Sequence, residues 1–290
     1  MEKSIAVVGG DLRIVKLVEM LVKDGYTVYT YGLEMSEDLL KLDKVEICPT
    51  VNEALKSSKV VVGPIPLSSD RRNLSMPFSN IKLNVEDFIS CLSGKTLIAG
   101  NIIEDVRKKL EASKIPYIDL LKREEFTVLN TIATAEGTIQ IAMEETQKTL
   151  HGSKVLVMGF GRIGKVLAKM LDGIGAKVYC EARKNEDIAW IKAYGYEPIH
   201  LNHLNEHLGE FDIIISTIPF QVLDKERLEL VRKDVVIIDL ASNPGGVDRK
   251  VAKEKDLKLI WALSLPGKVA PLTSAIYIKE TLYHVLKELQ

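Results

Sequence analysis

The chain has 290 residues, of which 46% are hydrophobic and 27% charged, and its 39 basic and 40 acidic side chains leave a net charge of −1. The length predicts two domains or one large one, and the near-zero charge argues against nucleic acid or an anionic membrane as a main partner. No apolar stretch approaches the ~20 residues of a membrane span, and the N-terminal apolar run is too short for a signal peptide. Three widely separated cysteines form no metal-binding spacing, which favours a reducing cytoplasm and predicts no metal site.

The first half of the chain alternates short β-branched runs with helical patterns. A first strand is predicted at 4–8, and four apolar residues at helical spacing predict a helix over 11–23. The stretch 71–84 is polar and irregular, which predicts a loop. Four further strands are predicted, at 27–31, 59–63, 95–100 and 116–120.

The second half begins with a predicted long helix over 130–150, and a second strand–helix series follows it. A closing helix is predicted from about Pro271. Short, fully apolar strands separated by helices are typical of parallel sheets covered on both faces, so the fold class is α/β with two Rossmann-like domains. The strands predicted in this half are 154–159, 176–180, 211–217, 234–240 and 257–263.

The strongest local motif is a glycine-rich turn between a predicted strand and a predicted helix. Gly159, Gly161 and Gly164 match the pattern G-x-G-x-x-G, with Arg162 and Ile163 between the last two glycines. In such turns the first glycine permits a tight turn, the second lets the backbone approach a pyrophosphate, and the third lets helix and strand pack closely. These five residues are predicted to bind a dinucleotide at the helix N-terminus.

The strand after this turn ends in an unusual combination of charges. Glu181 lies 22 residues after Gly159, near the usual spacing for an acid that binds ribose, but the common dehydrogenase register places that acid at Ala182. Since side chains alternate along a strand, Glu181 is expected to face the other way. Arg183 and Lys184 follow at once and suit a 2′-phosphate, so the sequence favours NADP over NAD. The alternative is that both cations are solvated loop residues.

The motif STIP, at 216–219, ends another predicted strand of the same sheet. Ligands in such sheets lie beyond the carboxyl ends of the strands, so Thr217 and Pro219 are predicted to flank the dinucleotide. The alternative is a strand that is merely terminated by proline.

The first domain begins with a second glycine turn that lacks the third glycine. Gly9 and Gly10 are followed by Asp11, whose charge would repel phosphate, so a second dinucleotide site is not expected. Arg13 instead suits a carboxylate substrate, because its guanidinium accepts bidentate pairing. Asp11 itself suits the cap of the following helix, as an alternative to any role toward a ligand.

Two Gly- and Pro-rich segments follow strands of the second domain, at 241–248 and 265–271, and both are expected to form turns. Lys268 in the second of them is predicted to place a cation near the reactive end of the cofactor. The alternative is that each segment is a turn without a ligand.

The segment HLNHLNEH carries His200, His203 and His207. Their spacing would place them on one helix face, but no motif such as HExxH accompanies them. A solvated connector is the favoured interpretation.

Five motifs together are specific for one family: VVGGDLR, ATAEGTIQIAM, HGSKVLVMGFGRIGKVLA, DLASNPGGVD and LPGKVAPLTSA. Over nearly the whole chain they resemble the A-subunit family of dipicolinate synthase from spore-forming bacteria, although 64–84, with Arg71 and Arg72, departs from the family pattern. The resemblance implies the two-domain arrangement of D-2-hydroxyacid and alanine dehydrogenases, in which the last helix returns to the first domain. The expected domains are therefore 1–128 with 274–290, and 129–273.

The resemblance also implies a reaction, oxidation of dihydrodipicolinate to dipicolinate with NADP, NAD being possible. It implies a flavoprotein-like partner, the dipicolinate synthase B-subunit, and the cytoplasm of the mother cell during sporulation; a homo-oligomer is also expected. Arg13 and Lys268 are the candidates for binding the two carboxylates of the substrate. The proton acceptor is left open between Asp11, Glu136 and solvent.

Two other functions compete with this one. A D-2-hydroxyacid dehydrogenase needs a histidine and an arginine, but Ser242 and Asn243 stand where such enzymes resemble T-A-R-G-G, and the segment LSLPGK has no histidine. A nucleotide-binding regulatory protein without chemistry of its own is the second alternative, because the proton acceptor is not assigned.

Overall fold

The computed structural model describes residues 3–289. Within them the chain forms two compact units, each built on one six-stranded sheet whose paired strands are all parallel. One unit extends to Leu129 and also takes in the chain from Ala270 onwards, while the other comprises Asn130–Val269. None of the helices within residues 3–289 is long and apolar enough to cross a membrane.

The sheet of the first unit has the strand order β3-β2-β1-β4-β5-β6. Its strands are β1 Ser4–Val8, β2 Thr27–Tyr31, β3 Val45–Ile47, β4 Val60–Val62, β5 Thr96–Ala99 and β6 Tyr117–Asp119. The helices that follow these strands are α1 Leu12–Lys23, α2 Val51–Lys56, α3 Val85–Ser90 and α4 Glu104–Ala112. The strands predicted at 59–63, 95–100 and 116–120 are therefore shorter than expected, and β3 was not predicted.

Helix α5 spans Glu124–Glu145, so the prediction of a helix over 130–150 is right in kind but wrong at both ends. Glu124 and Glu125 favour a helix N-terminus because their charges complement the helix dipole. Phe126 is fully buried in the core of the first unit and anchors this first turn. The apolar spacing seen in the sequence starts later than the helix because Phe126 is the one buried residue of 124–129.

The sheet of the second unit has the strand order β9-β8-β7-β10-β11-β12. Its strands are β7 Lys154–Met158, β8 Lys177–Ala182, β9 Glu197–His200, β10 Ile213–Ser216, β11 Val236–Asp239 and β12 Lys258–Trp261. Its further helices are α6 Arg162–Ile174, α7 Asn185–Ala193, α8 Lys225–Leu228, α9 Arg249–Glu254 and α10 Leu265–Val269. The predicted turn over 265–271 is thus wrong for its first five residues, which form α10.

The strand order of the second unit reverses at β7, which lies between β8 and β10. Open α/β sheets bind ligands beyond the carboxyl ends of the strands at such a reversal. Val157, Cys180 and Ile215 face the core on the α6 side of the sheet, while Met158 and Ile214 face the core on the other side. The predicted fold class, two Rossmann-like α/β domains with parallel sheets, is confirmed.

Helix α11, Pro271–Glu288, packs against α1 in the first unit. Ile278, Leu282 and Val285 are fully buried there, each contributing roughly 2 kcal/mol of hydrophobic stabilisation. Near its end, Arg123 donates two hydrogen bonds to the carboxylate of Glu288, at 2.8 and 2.7 Å. The last helix therefore belongs to the core of the first unit.

Candidate functional site

The three motif glycines lie at the switch point between β7 and α6 and have different structural reasons to be glycine. A Cβ on Gly164 would lie 2.0 Å from the Gly159 carbonyl oxygen, and one on Gly159 would lie 2.6 Å from Thr217 Oγ1. Gly159 also has a φ of +89°. A Cβ on Gly161, in contrast, would have no described atom of residues 3–289 within 4 Å. The fold thus requires two of these glycines, while the third leaves an open cradle over the backbone.

Helix α6 presents its N-terminus to this cradle. Gly161 is its cap residue and has no side chain with which to bind the first N–H groups. Those groups, together with the helix dipole, form an anion site of the kind that holds pyrophosphate. Arg162 and Ile163 occupy the first two positions of the helix, so the predicted turn residues lie together.

Glu181 is 1% exposed and lies inside β8, which extends to Ala182 rather than ending at residue 180. Its carboxylate accepts a hydrogen bond of 3.2 Å from the Gly159 N–H. Burial raises the pKa of this carboxyl group to about 7, against the hydrogen bond from Gly159 and the charges of Arg227 and Arg183. Ala182 and Cys180 face the α6 side, so Glu181 does point to the other face, as alternation predicted.

A cavity of about 300 Å³ lies beside the glycine turn and beyond the end of β8. Arg183 on its wall is exposed and has no hydrogen-bond or ion-pair partner among the described residues. Lys184 is paired with Glu186 at 3.1 Å on the surface, so Arg183 is the better placed cation for a ligand. The residues lining the cavity are Gly159, Phe160, Glu181, Ala182, Arg183, Lys184, Asp187, Leu201, Ile218, Phe220 and Val222.

The segment after β10 forms the apolar wall of this cavity. Thr217 Oγ1 donates to the Met158 carbonyl at 3.0 Å and so braces the glycine turn. Pro219 is exposed and does not line the cavity, whereas its neighbours Ile218 and Phe220 do. Phe220 is 71% exposed, which suits a side chain that stacks on a planar ligand. The sequence reasoning missed both residues, although two apolar side chains directly after a strand end were a signal.

The loop after β11 is held by a buried acid. Asp239 accepts hydrogen bonds from the N–H groups of Ala241, at 3.1 Å, and Gly246, at 2.8 Å. Burial raises the pKa of Asp239, against these hydrogen bonds. The buried Ser216 Oγ has no hydrogen-bond partner among residues 3–289. A Cβ placed on Gly246 would lie 2.0 Å from this oxygen. The loop and the end of β10 are therefore in close contact.

The outer part of the same loop contacts Trp261 and Arg249, which are stacked on each other. The Arg249 guanidinium lies 3.8 Å from the ring centroid of Trp261 and donates to Asn243 Oδ1 at 3.0 Å. Trp261 Nε1 donates to the Ala241 carbonyl at 2.8 Å. Sequence analysis did not connect these residues, because they come from a loop, a helix and a strand separated along the chain.

Lys268 is exposed on α10 and forms no ion pair within the described chain. A Cβ on Gly137 of α5 would lie 3.1 Å from Val269 Cγ1, so α5 and α10 are closely packed at this point. Glu136 is the neighbouring residue on α5 and is exposed. Both predicted residues are therefore accessible on the second unit.

The predicted substrate cation of the first unit has protein partners. Arg13 is 4% exposed, and its guanidinium donates to both carboxylate oxygens of Asp11, with Nε to Oδ1 at 3.0 Å and Nη2 to Oδ2 at 2.8 Å. The same Nη2 donates to the Ile65 carbonyl. Asp11 also caps α1 by accepting from the Arg13 N–H at 3.1 Å. Asp11 therefore has the capping role that the sequence offered as an alternative.

The glycine turn of the first unit is filled by the protein itself. A Cβ on Gly9 would lie 2.6 Å from Met76 Cγ, and the N–H groups of Gly9 and Gly10 donate to the carbonyls of Tyr31 and Ser75. The space and donors that a phosphate would need are therefore taken.

The histidine-rich segment forms short 3₁₀ turns after β9. His203 and His207 pair with Glu206 and Glu210, each at 3.0 Å. Within the described part of the chain no group of three or more metal-ligating side chains occurs.

Two family descriptions match consecutive parts of the chain. Residues 4–121 match the N-terminal domain of the dipicolinate synthase A-subunit, and residues 126–251 match the NAD-binding domain of D-isomer specific 2-hydroxyacid dehydrogenases. The second match includes the glycine turn and every residue that lines the cavity. It supports a nicotinamide cofactor for this domain.

Similar proteins match over nearly the whole chain. The dipicolinate synthase A-subunit of Bacillus subtilis (strain 168) is 31% identical over 290 residues, covering 99% of this chain and 97% of its own. Crystal structures of this A-subunit from Bacillus subtilis and Bacillus halodurans match with TM-scores of 0.89 and 0.88 at 29% and 27% identity, covering 100% and 98% of this chain and 97% of each. An L-alanine dehydrogenase at 17% identity shares the fold alone, with a TM-score of 0.65 over 98% of this chain and 89% of its own.

Proposed function

The chain belongs to the A-subunit family of dipicolinate synthase, and on that premise we propose that it oxidises dihydrodipicolinate to dipicolinate with NADP. The observation that supports dinucleotide binding is the open cradle at Gly161. A Cβ on Gly161 would contact no described atom of the protein, so the fold itself does not require glycine there, whereas a bound dinucleotide would need the space that the Cβ would fill. The turn, the helix N-terminus and the adjoining cavity fit the pyrophosphate and adenosine ends of a dinucleotide.

The proposed reaction removes one hydride and one proton from the dihydropyridine ring, and the gain of aromaticity drives it. The bound dinucleotide supplies the hydride acceptor. In this proposal, Asp11 or Glu136 accepts the proton, with solvent as the alternative. Asp11 is already bound to Arg13, while Glu136 is exposed and so open to a ligand.

Two cations are proposed for the two carboxylates of the substrate. Lys268 is exposed and forms no ion pair within the described chain, so its ammonium group is available to an anion. Arg13 remains the second candidate, although its guanidinium is shared with Asp11 and the Ile65 carbonyl. Holding both carboxylates would fix the orientation of the ring, which is how positioning contributes to such a transfer.

NADP is proposed over NAD because Arg183 lies at the cavity without a protein partner in the described chain. A 2′-phosphate forms charge-assisted hydrogen bonds with a guanidinium, and these are stronger than bonds between neutral groups. Thr217 contributes to this proposed site by holding the glycine turn in place through its hydrogen bond to the Met158 carbonyl. Pro219 is exposed outside the cavity and contributes less.

The relatives are named as one subunit of a synthase, which supports a partner protein. We therefore propose that the chain acts with the dipicolinate synthase B-subunit during sporulation, in the cytoplasm of the mother cell, and forms a homo-oligomer. A function as a D-2-hydroxyacid dehydrogenase is a second candidate, because residues 126–251 match the NAD-binding domain of that family. Against it, Asn243 stands where an arginine is needed, and its side chain is bound to Arg249.

The test is an oxidation assay with purified protein. The chain is mixed with dihydrodipicolinate and NADP, with and without the B-subunit, and the absorbance of reduced nicotinamide is followed. A Gly161→Val variant is the matched control, because its side chain would fill the cradle while the fold leaves room for it. Reduction of NADP that the variant abolishes supports the proposal. No reduction even with the partner would refute it, and reduction of glyoxylate with NADPH would favour the second candidate.

A further inference from the structure

Glu181 is a buried acid that the proposed reaction does not use. Within the described chain its carboxylate accepts one side-chain hydrogen bond, from the Gly159 N–H, and takes part in no ion pair. That N–H is shared, since it also donates to the Glu181 main-chain carbonyl at 3.1 Å. Glu181 is 1% exposed, and its carboxylate shares its single hydrogen-bond donor with the main-chain carbonyl. This hydrogen bond compensates poorly for the free energy of desolvating the carboxylate.

Glu181 nevertheless lines the cavity in which the adenosine end of the dinucleotide is proposed to bind. Its partner position on β9 is Ile199, which is apolar, and the glycine turn contributes Gly159 and Phe160. The charged groups that face it from the surrounding elements are Arg183 at the end of β8, Lys184 and Asp187 around the start of α7, and Arg227 on α8.

These charges divide into two groups by their availability. Arg227 is held by protein groups, donating to Asn205 Oδ1 at 2.9 Å and to the Val222 carbonyl at 2.9 Å. Arg183 has no such partner among the described residues and is the cation available to a bound anion. A phosphate on Arg183 would therefore share the cavity with the Glu181 carboxyl group.

We propose that Glu181 sets the preference between NADP and NAD and makes that preference depend on pH. When the Glu181 carboxyl group is neutral, the 2′-phosphate of NADP can bind to Arg183 without repulsion. When it is ionised, it repels the phosphate and accepts a hydrogen bond from the 2′-hydroxyl of NAD instead. This inference rests on the proposed function, because it requires a nicotinamide dinucleotide in this cavity.

The physical reason is that the two ligands interact oppositely with the same proton. Like charges within a few ångströms disfavour the ionised form of a carboxyl group, so NADP binding holds the proton on Glu181. By linkage, NADP then binds more weakly as the pH rises through the pKa of the group, which burial raises to about 7. The affinity for NAD should be unchanged or should rise over the same range.

The first test measures the dissociation constants of NADP and NAD by calorimetry between about pH 6 and pH 8.5, for the full chain and for Glu181→Gln. The preference for NADP should fall roughly tenfold across this range in the unmodified chain and stay level in the variant. Glu197→Gln, an exposed acid at the start of β9, is the matched control and should behave as the unmodified chain. Titration of the 2′-phosphate itself is common to all three proteins and so cancels from the comparison.

The second measurement needs no variant. Calorimetry in buffers of different ionisation enthalpy gives the number of protons taken up on binding at about pH 7.5. Binding of NADP should be accompanied by uptake of a proton, and binding of NAD should not. If the phosphate interacted with Arg183 alone, any change in protonation on binding would be a release of protons. Equal pH profiles in the chain and in Glu181→Gln, or no proton uptake, would overturn the inference and leave the proposed function intact. Failure of both dinucleotides to bind at any pH would overturn the proposed function and the inference with it.

Discussion

Replacing Glu181 by glutamine should stabilise the second unit, and more so at high pH. The pKa of its carboxyl group is raised by burial from an ordinary value of 4.5 to about 7. The folded state therefore binds this proton more tightly than the unfolded state, so the contribution to stability is greatest below about pH 4.5 and is lost as the pH rises to about 7. Each pH unit of that difference corresponds to about 1.4 kcal/mol.

The expected magnitude follows from this difference. At about pH 8.5 the ionised carboxylate of the folded protein costs about 3 kcal/mol, while at about pH 5 it costs less than about 1 kcal/mol. Glutamine keeps the shape and the acceptor for the Gly159 N–H but carries no charge. The free energy of unfolding of Glu181→Gln should thus exceed that of the unmodified chain by about 3 kcal/mol at the higher pH and by much less at the lower.

The assay is urea unfolding followed by tryptophan fluorescence. The chain has two tryptophans, Trp190 and Trp261, and both lie in the second unit, so the signal reports the unit that contains Glu181. Glu197→Gln is the control, because that acid is exposed and its neutralisation should change stability by less than about 0.5 kcal/mol at either pH. If Glu181→Gln changed stability equally at both pH values, the reasoning from burial would be refuted.

Three further predictions test the site. Gly161→Ala should alter the free energy of unfolding by less than about 0.5 kcal/mol but weaken dinucleotide binding at least tenfold. Gly164→Ala should instead lower the free energy of unfolding by about 2 kcal/mol or more, because its Cβ would lie 2.0 Å from a carbonyl oxygen. Equal effects of the two variants on the free energy of unfolding would contradict this prediction. Arg183→Ala should weaken NADP binding about tenfold or more and NAD binding much less, with Lys192→Ala, exposed on α7, as the control; equal losses for both dinucleotides would remove Arg183 from the account. Lys268→Ala should raise the KM for dihydrodipicolinate roughly tenfold with the dissociation constant of NADP unchanged, and an unchanged KM would exclude its role.

Features that depend on local pattern could be predicted from the sequence. The β-branched runs predicted the strands that begin the units, and the glycine spacing predicted the turn before α6. Element ends were less predictable, since α5 begins at a charged turn anchored by Phe126 and α10 forms in a segment rich in glycine and proline. Both depend on tertiary packing rather than on local propensity.

The details of the site depend on contacts between distant parts of the chain. Arg13 has the side chain of a ligand-binding cation, but besides Asp11 it binds the Ile65 carbonyl, which lies 52 residues away along the chain. The apolar wall from Ile218 and Phe220 and the burial of Glu181 likewise follow from how the strands meet at the sheet edge. No pattern within a short window of sequence carries that information.

The methionine over the first glycine turn has a consequence for stoichiometry. Both sheets follow the same strand order, and each has a glycine turn after its central strand, so by topology alone the chain would offer two nucleotide sites. Since Met76 occupies the position over Gly9, saturating the chain should require a single equivalent of dinucleotide. The first unit then has the same strand order as the second without sharing its dinucleotide.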